Sequence, residues 1–253
     1  MLFKYGKKPA RRDHRTLRFA EYLNALPPVP MPINWSDKVA TWTMMANDTV
    51  GDCTIAGPGH LEVTWGANAQ GAGYNVPTDQ QILAAYTAIT GYNPNDPSTD
   101  TGANILDVLN YWKSTGIAGQ TIGAYMAVNP QNVLHVQQGI WLFGGLDLGF
   151  SLPDAVEPTE QGVPNWILPD GQTPTGAWAP DQNNGHCVCA IDCDTTGVTV
   201  VTWGQLMRLN WPFFLAYCDE AYALVANEWI ANTGLAPSGF NMNALVADLN
   251  AIR

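Results

Sequence analysis

Residues 47–60 read NDTVGDCTIAGPGH, and this stretch indicates the fold and raises the central functional question. Cys53 follows a Gly-Asp pair and opens a run that predicts a helix to about Gly66. The free N–H groups and the dipole at a helix start favour a thiolate. Gly51 would let a substrate backbone approach closely. Cys53 is therefore either a nucleophile or a small buried hydrophobic residue.

The rest of the pattern predicts helices first and strands afterwards. Predicted helices cover 53–66, 78–89, 103–117 and 129–139, the last with Asn129 as cap, Pro130 at its first position and Gly139 as its stop. Predicted strands cover 140–150, HCVCAIDC, GVTVVTWG and AYALV, with a short helix at WPFFLAYC and a C-terminal helix at 241–252. This order indicates an α+β protein in two segregated parts.

Charge is distributed unevenly along the 253 residues. Residues 1–18 contain 7 of the 11 Lys and Arg residues and one acid, whereas the whole chain has a net charge of −11. We expect this basic arm to pack on acidic surface, its own or that of a second copy, and the contact to weaken with salt. Nucleic acid is disfavoured because no recognition motif accompanies the arm.

The composition disfavours membrane-spanning, secreted and disulfide-rich proteins. No apolar run approaches the roughly 20 residues of a membrane span, and no apolar stretch follows the basic N-terminus as in a secretory signal. Five cysteines in a chain of this length do not predict a disulfide framework. We therefore expect a cytoplasmic protein with no membrane contact.

His186 is the best-placed partner for a nucleophilic thiol among the four histidines. It opens an apolar strand directly after a glycine, in NNGHCVCAID. A single histidine before a strand is more often structural, so this position alone leaves both readings open. A thiolate needs such a partner to protonate the leaving group.

Three segments together resemble the papain-like cysteine peptidases. They are PINWSDKVATWTMMANDTVGDCTIAG at 32–57, ILDVLNYWKSTGI at 105–117 and GHCVCAIDCDTTGVTVVTWG at 185–204. Trp35 precedes Cys53 by 18 residues, as a tryptophan precedes the nucleophile in that family. The resemblance covers about residues 28–226 in the family's order.

The resemblance implies a papain-like α+β fold, with a helical lobe followed by an antiparallel β-sheet or barrel lobe and the site in the cleft between them. It implies a basic N-terminal arm at 1–27 and a catalytic domain at 28–226, helical over about 50–128 and β over about 129–226. A C-terminal helical extension would follow at 227–253.

Site residues carry over by position. The resemblance implies that Cys53 is the nucleophile, His186 the base and acid, and Asn47 the oxyanion donor together with the Cys53 N–H. Trp203 and Gly204 match the family's Trp-Gly pair.

The sequence departs from the family in ways that affect catalysis. Val201 stands where the family has the asparagine that orients the histidine, so we expect the adjacent Thr202 hydroxyl to contact the ring instead. Asp52 replaces a serine, and a carboxylate beside Cys53 would raise the pKa of the thiol. Val50 replaces a disulfide-forming cysteine, which agrees with a reducing compartment.

Two further groups of residues have alternative readings. Cys187, Cys189 and Cys193 would share one face of a strand, and we interpret them as core residues rather than metal ligands because the spacing is unusual for zinc. Trp166 and Trp178 lie in a proline-rich segment, 153–180, and either line a substrate cleft or fasten the segment to the body.

We therefore expect a cysteine hydrolase, without cofactor or metal, that cleaves a peptide amide or an ester in a peptide or small acyl substrate. The alternative is an inactive papain-like scaffold, a structural or binding component of a phage or other assembly. A homo-oligomer held by the basic arm is a further expectation.

Overall fold

A computed structural model describes residues 3–23, 28–70, 73–160 and 162–227. Within these ranges one antiparallel sheet separates two hydrophobic cores. Helices α1 (Cys53–Gln70), α2 (Asp79–Thr90) and α3 (Ile105–Ser114) contribute to one core. Helices α4 (Val133–Phe143) and α5 (Trp211–Tyr217) contribute to the other.

Among the described residues the sheet has seven strands, all paired antiparallel. They are β1 (Ile33–Asn34), β2 (Ile122–Val128), β3 (Leu146–Ser151), β4 (Gly185–Cys193), β5 (Gly197–Thr202), β6 (Gln205–Asn210) and β7 (Cys218–Ala226). The order across the sheet is β2-β7-β3-β4-β5-β6, and β1 pairs with the end of β4. The sheet is open, so the barrel form of the predicted β lobe is wrong and the sheet form is confirmed.

The helix ends that the sequence predicted most accurately are determined by residues at those ends. Thr78 and Gln81 form a reciprocal capping box at the start of α2, and Gly91 ends that helix in the left-handed conformation. Helix α1 begins at Cys53, as predicted, and continues past Gly66 to Gln70. Gly57 allows α1 to pack closely on β4, because a Cβ there would lie 3.3 Å from the Cys187 sulfur.

The predicted helix at 129–139 and strand at 140–150 were placed too early. Helix α4 begins after Asn132, whose side chain caps the His135 N–H, and ends at Gly144. Gly139 lies inside the helix, where its missing Cβ leaves room for Leu146. Residues 140–143 are therefore helical, and strand β3 starts at Leu146.

The predicted division at residue 128 also needs correction. Strand β2 lies within the part expected to be helical, yet it pairs with β7 and belongs to the sheet. Helix α4 lies within the part expected to be β.

The three strand cysteines do not share one face, because β4 is irregular. Cys187 and Cys189 pack in the core with α1–α3. The pairing of β4 with β5 shifts register between Ala190 and Asp192, and Cys193 packs in the other core.

The basic arm packs against the body of the protein. Phe19 and Tyr22 are fully buried in the core that α4 and α5 contribute to. None of the helices in the described ranges has the length and apolarity needed to cross a bilayer. The predicted helix at 241–252, and nearly all of the predicted extension at 227–253, lie outside the described residues.

Candidate active site

The thiol of Cys53 lies at the N-terminus of α1, against strand β4. Its sulfur accepts a hydrogen bond from the Cys187 backbone N–H at 3.4 Å. Cys187 is the residue that follows His186, so the helix start and the strand start meet as the sequence predicted. Both Cys53 and His186 have an exposed fraction of 0%.

The imidazole of His186 is held on one side by a hydroxyl. Thr202 Oγ1 lies 2.7 Å from His186 Nε2, so the contact expected for Thr202 is present. Val201 packs in the core with α1–α3, and its apolar side chain cannot form a hydrogen bond with the ring. Nδ1 of His186 is buried and has no hydrogen-bond partner among the described residues. The nitrogen available for proton transfer is therefore Nδ1.

Trp203 forms one wall of the site. Its ring stacks on the His186 ring with centroids 4.3 Å apart and an interplanar angle of 20°. Trp203 has φ 46° and the next residue, Gly204, has φ 66°, so a left-handed turn between β5 and β6 directs the indole over the imidazole. Non-glycine residues adopt this conformation at a cost of about 1–2 kcal/mol, which is common at functional sites.

Asn47 forms the opposite wall, in the loop before α1. Its side-chain Nδ2 donates to the Val50 carbonyl at 3.1 Å and to the Lys4 carbonyl at 3.3 Å. The indole N–H of Trp203 approaches the same Lys4 carbonyl at 3.4 Å. Asn47 thus already binds a peptide carbonyl oxygen, which is the chemistry expected of an oxyanion donor.

The peptide that carries this carbonyl is the chain's own arm, which lies in the cleft rather than on the outer surface. The Gly6 and Lys7 N–H groups donate to the Gly185 carbonyl at 3.2 and 2.9 Å, on the β side. The Ala103 N–H donates to the Gly6 carbonyl at 2.8 Å, and the Lys8 N–H donates to the Ala103 carbonyl at 2.8 Å, on the helical side. Residues 3–8, here called the cleft segment, therefore join both walls.

Glycines permit this close passage. A Cβ at Gly6 would lie 1.7 Å from the Gly51 carbonyl oxygen, and one at Gly102 would lie 2.1 Å from the Gly6 carbonyl oxygen. A Cβ at Gly51 would lie 2.7 Å from the Tyr5 carbonyl oxygen. Because these neighbours are backbone atoms that cannot move aside, any side chain at Gly6 prevents the cleft segment from seating as it does.

Aromatic contacts hold the segment over the imidazole. The Tyr5 ring meets the His186 ring edge-on at 5.6 Å, and Phe3 lies 5.2 Å from Trp203, centroid to centroid. The cleft segment thus covers the thiol and the imidazole, which accounts for their complete burial.

This burial sets the protonation states of the pair. Desolvation, with a smaller contribution from the nearby Asp52, raises the pKa of Cys53 to about 12. Desolvation lowers the pKa of His186 to about 3, and Lys7 contributes to that shift. With the segment seated, the pair is a neutral thiol and a neutral imidazole near pH 7, against the thiolate expected from the helix start alone.

Asp52 acts less strongly than the sequence suggested. Its carboxyl is fully buried, and burial raises its own pKa well above the ordinary value, although Asn47 opposes the shift. A neutral carboxylic acid perturbs the thiol less than a carboxylate does. Burial, ahead of the charge of Asp52, is the main cause of the raised pKa of Cys53.

The two tryptophans of the proline-rich segment differ in role. Trp166 is fully buried behind the site, with its ring 6.1 Å from His186 and stacked on Phe213. Trp178 is half-buried, and its carbonyl accepts a hydrogen bond from the Tyr217 hydroxyl. The contacts of Trp178 within the described residues are with Tyr217 and the core that α4 and α5 contribute to, which favours the interpretation that it fastens the segment to the body.

A hydrogen-bond network on the helical wall was not anticipated from the sequence. The Gly51 N–H donates to the Asp100 carboxylate at 3.0 Å, the Tyr86 hydroxyl donates to Asp100 at 2.7 Å, and the Gly102 N–H donates to the Tyr86 oxygen at 2.9 Å. The network connects the loop before α1 to the loop before α3. The only sequence signal was the Gly102-Ala103 pair after a run of turn-forming residues.

The described residues do not form a cluster of side chains suited to binding a metal ion. Within the described ranges, no group of three or more His, Cys, Asp or Glu side chains is arranged to hold a metal. The cysteines in those ranges are free and buried.

Solved structures place this geometry in a known fold. Xylellain, a cysteine protease from Xylella fastidiosa, matches with a TM-score of 0.65 at 15% identity over 88% of this chain and 96% of its own. The chain has the papain-like cysteine peptidase fold. Digestive procathepsin L 3 from the larval midgut of Tenebrio molitor matches with a TM-score of 0.54 at 11% identity, over 88% of this chain and 76% of its own.

A third match is a cysteine protease from Carica candamarcensis, with a TM-score of 0.50 at 14% identity over 78% of this chain and 99% of its own. No family model matches this sequence. No curated protein matches it either. The likeness therefore establishes the fold, and the roles of Cys53, His186, Asn47 and Thr202 are argued from their geometry.

Proposed function

We propose that this chain is a cysteine hydrolase that cleaves peptide amide bonds through a thioester on Cys53, and that the cleft segment holds it latent in the conformation described. One observation carries the proposal. A peptide backbone lies between a helix-start thiol and a carbonyl-binding amide, beside an imidazole whose far nitrogen is held by Thr202.

Acylation follows from the positions of these groups once the cleft segment has left. His186 Nδ1 takes the thiol proton, while Nε2–H donates to Thr202 Oγ1 and fixes the tautomer. The sulfur attacks the substrate carbonyl carbon, and Asn47 Nδ2 and the Cys53 N–H stabilise the oxyanion. The C–N bond breaks as the imidazolium protonates the leaving amine, which leaves the thioester.

Deacylation uses the same groups in reverse. Nδ1 of His186 removes a proton from water, and the water oxygen bonds to the thioester carbonyl carbon. The C–S bond then breaks, the acid product leaves, and the proton on the imidazolium returns to the thiolate. An ester would pass through the same thioester, but the peptide backbone seated in the cleft favours an amide substrate.

The cleft segment itself is not positioned for cleavage. The cleft segment presents the Gly6 backbone N–H to the thiol, and this donor favours the charged form of Cys53. A nucleophile requires a carbonyl carbon at that point. The segment therefore occupies the cleft as an inhibitor and is not consumed as a substrate.

The inactive scaffold remains the second candidate, because two observations favour it. Asp52 is buried beside the thiol, and Nδ1 of His186 has no hydrogen bond to the sulfur. In a scaffold, the buried pair would stay neutral and the cleft segment would never leave.

The deciding experiment uses the full chain with Gly6→Val, which prevents seating of the cleft segment without altering the catalytic residues. In that background, Cys53→Ala should abolish hydrolysis of a pool of internally quenched peptides. Cys189→Ala, which removes a buried thiol outside the site, should lower stability and leave turnover in place. Absence of turnover in the folded Gly6→Val chain, or turnover that survives Cys53→Ala, would reject the hydrolase in favour of the scaffold.

A further inference from the structure

A second cysteine lies directly behind the nucleophile. Cys187 follows His186 on β4, and its backbone N–H donates to the Cys53 sulfur, with the two atoms 3.4 Å apart. Because the bond from N to Cα adds only about 1.5 Å, the Cys53 sulfur lies within about 5 Å of the Cys187 Cα. A disulfide joins cysteines whose Cα atoms are about 4–7 Å apart, so the two backbones are near bridging distance.

The side chain of Cys187 is directed to the helix that begins at Cys53. A Cβ at Gly57 would lie 3.3 Å from the Cys187 sulfur. Residues 53 and 57 are four apart on α1 and share one face of it, so the Cys187 sulfur contacts the face that carries the Cys53 thiol. The two thiols are close enough that a charge on Cys53 raises the pKa of Cys187. The missing side chain of Gly57 thus leaves room for a second sulfur beside the helix start.

A buried carboxyl binds the proton of this second thiol. The Cys187 S–H donates to Asp147 Oδ1 at 3.2 Å. Asp147 on β3 has an exposed fraction of 0%, and its Oδ2 has no hydrogen-bond partner among the described residues. Burial raises the pKa of Asp147 to about 8, although the bond from Cys187 opposes the shift.

Packing alone does not account for this carboxyl. Burying an incompletely paired carboxyl costs free energy, and an apolar residue would fill the same space without that cost. The raised pKa of Asp147 is close to that of an ordinary thiol, so the carboxylate is suited to take a proton from Cys187. Cys187 is therefore a thiol with its own proton acceptor, placed behind the Cys53 sulfur.

We propose that Cys187 is a resolving cysteine, which forms a disulfide with Cys53 after a hydroperoxide has oxidised Cys53. The site takes hydrogen peroxide or a small organic hydroperoxide as its co-reactant. The inference rests on one part of the proposed function, that Cys53 becomes a thiolate once the cleft segment has left. It does not require turnover.

The first step oxidises Cys53. Its thiolate attacks one peroxide oxygen, the O–O bond breaks, and the departing hydroxide takes up a proton and leaves as water. Cys53 is then a sulfenic acid. In the second step Asp147 takes the proton of Cys187 while the Cys187 sulfur attacks the Cys53 sulfur. The S–O bond breaks, and this hydroxide also takes up a proton and leaves as water. The two sulfurs lose two electrons in total, and the peroxide gains them.

The cleft segment controls when this chemistry is open. While it is seated, Cys53 and Cys187 have exposed fractions of 0% and 3%, so peroxide cannot reach a thiolate. Once it leaves, Cys53 is the sulfur that faces the open cleft, whereas Cys187 still packs against α1 and Asp147. The disulfide would hold the uncovered nucleophile in a form that a dithiol can reduce, ahead of irreversible oxidation to the sulfinic acid.

The test treats the full-length Gly6→Val chain with hydrogen peroxide, blocks the remaining thiols with iodoacetamide, and reads the cysteines by peptide mass spectrometry without reduction. We expect a Cys53–Cys187 disulfide that dithiothreitol removes. In the same background, Cys187→Ala should accumulate sulfenic acid on Cys53, which dimedone traps, and then sulfinic acid. Cys189→Ala, which removes the neighbouring buried thiol of β4, is the matched control and should still form the disulfide.

A second comparison tests the carboxyl. Asp147→Asn keeps the size of the side chain but cannot take a proton, so it should slow disulfide formation by at least about tenfold. The formation of sulfenic acid on Cys53 should be unchanged, which a purely structural defect would not leave intact. An unchanged rate of disulfide formation in Asp147→Asn would overturn the role of Asp147.

The outcomes separate this inference from the hydrolase. A Cys53–Cys187 disulfide in a chain without peptide turnover keeps the resolving cysteine and rejects the hydrolase. Turnover in a chain whose Cys53 passes to sulfinic acid while Cys187 stays reduced keeps the hydrolase and rejects the resolving cysteine. A linkage to Cys189, or no oxidation of Cys53 at all, also rejects the resolving cysteine.

Another variant covers the case in which Gly6→Val fails to fold. The Lys7 ammonium holds the seated segment through Asp219 and Glu220, so Lys7→Ala loosens the segment without any backbone clash. We expect peroxide to form the Cys53–Cys187 disulfide at least about tenfold faster in Lys7→Ala than in the wild-type chain, because more of the thiol is uncovered. Oxidation of Cys53 in Lys7→Ala without a bond to Cys187 would overturn the inference.

Discussion

Two irregular segments, the cleft segment (residues 3–8) and the proline-rich segment (153–180), differ in how each packs relative to the cleft. The proline-rich segment is long and contains two tryptophans, which is typical of a segment that lines a cleft. It packs instead on the core behind the site, through the buried Trp166. The basic arm, expected on acidic surface of its own body or of a second copy, passes through the cleft with its backbone and places the Lys7 ammonium beside Asp219 and Glu220.

The difference shows which property allows a segment to lie in a narrow cleft. The segment needs a backbone that can pass close to both walls, and Gly6 allows this close approach to Gly51 and Gly102. Aromatic residues do not direct a segment into the cleft, because a ring can be buried against any matching apolar surface. Trp166 finds that surface on Phe213 and Phe150.

The largest expected effect tests whether the cleft segment alone controls the site. Gly6→Val in the full chain should raise peptide hydrolysis by several orders of magnitude, because substrate gains access to the cleft and the loss of burial lowers the pKa of Cys53. The measurement is the initial rate on a quenched-peptide pool. Ala177→Val, an exposed substitution in the proline-rich segment, is the matched control and should change nothing. Activation by Ala177→Val would mean that this segment also covers the cleft.

The next effect concerns the two tryptophans of the proline-rich segment. Trp166→Ala should lower the free energy of unfolding by about 3–5 kcal/mol, because it empties a fully buried space. Trp178→Ala should cost about 1 kcal/mol or less, since that side chain is half-buried. Denaturant titration measures both. A Trp178→Ala variant in the Gly6→Val background that raises KM with unchanged stability would restore the cleft-lining reading.

A smaller effect is expected where the imidazole is held. In the Gly6→Val background, Thr202→Val should lower kcat by about 10–100-fold, since a positioning group that fixes the tautomer is lost. Thr202→Ser should retain most of the rate, because the hydroxyl remains. Unchanged kcat and an unchanged pH profile in Thr202→Val would show that Nε2 is held from elsewhere.

The smallest effect concerns the charges of the arm. Arg11 pairs with Asp107, but both side chains are about half exposed. Arg11→Ala should change the free energy of unfolding by less than about 1 kcal/mol, and the difference should shrink in high salt. A loss several times larger, unaffected by salt, would show that surface charge and not the cleft backbone fastens the arm.

Several features were accessible from sequence because local chemistry determines them. The helix start at Cys53 and the strand start at His186 follow from short-range signals, and the contact of Thr202 with the imidazole follows from the register of one hairpin. Helix α2 has both of its predicted end signals, the Thr78 cap and Gly91.

Other features had no local signal, or had a false one. Asn129 with Pro130, and Gly139, imitate helix ends, but the chain uses Asn132 and Gly144. The choice is made by packing, because Gly139 is needed where α4 meets Leu146. The cleft segment binds through backbone groups, which look alike at every position in a sequence.

Alkylation of Cys53 by iodoacetamide as a function of pH tests the central claim most directly. The full wild-type chain and its Gly6→Val variant are treated between pH 5 and 9, and peptide mass spectrometry reads Cys53 with the buried Cys189 as an internal reference. With the segment seated, the pKa of about 12 leaves almost no thiolate, so wild-type Cys53 should react as slowly as Cys189. In Gly6→Val, Cys53 should react with an apparent pKa at or below about 8.5 while Cys189 stays unreactive. Equal and slow reaction of Cys53 in both folded proteins would contradict the account and make Cys53 a buried core thiol.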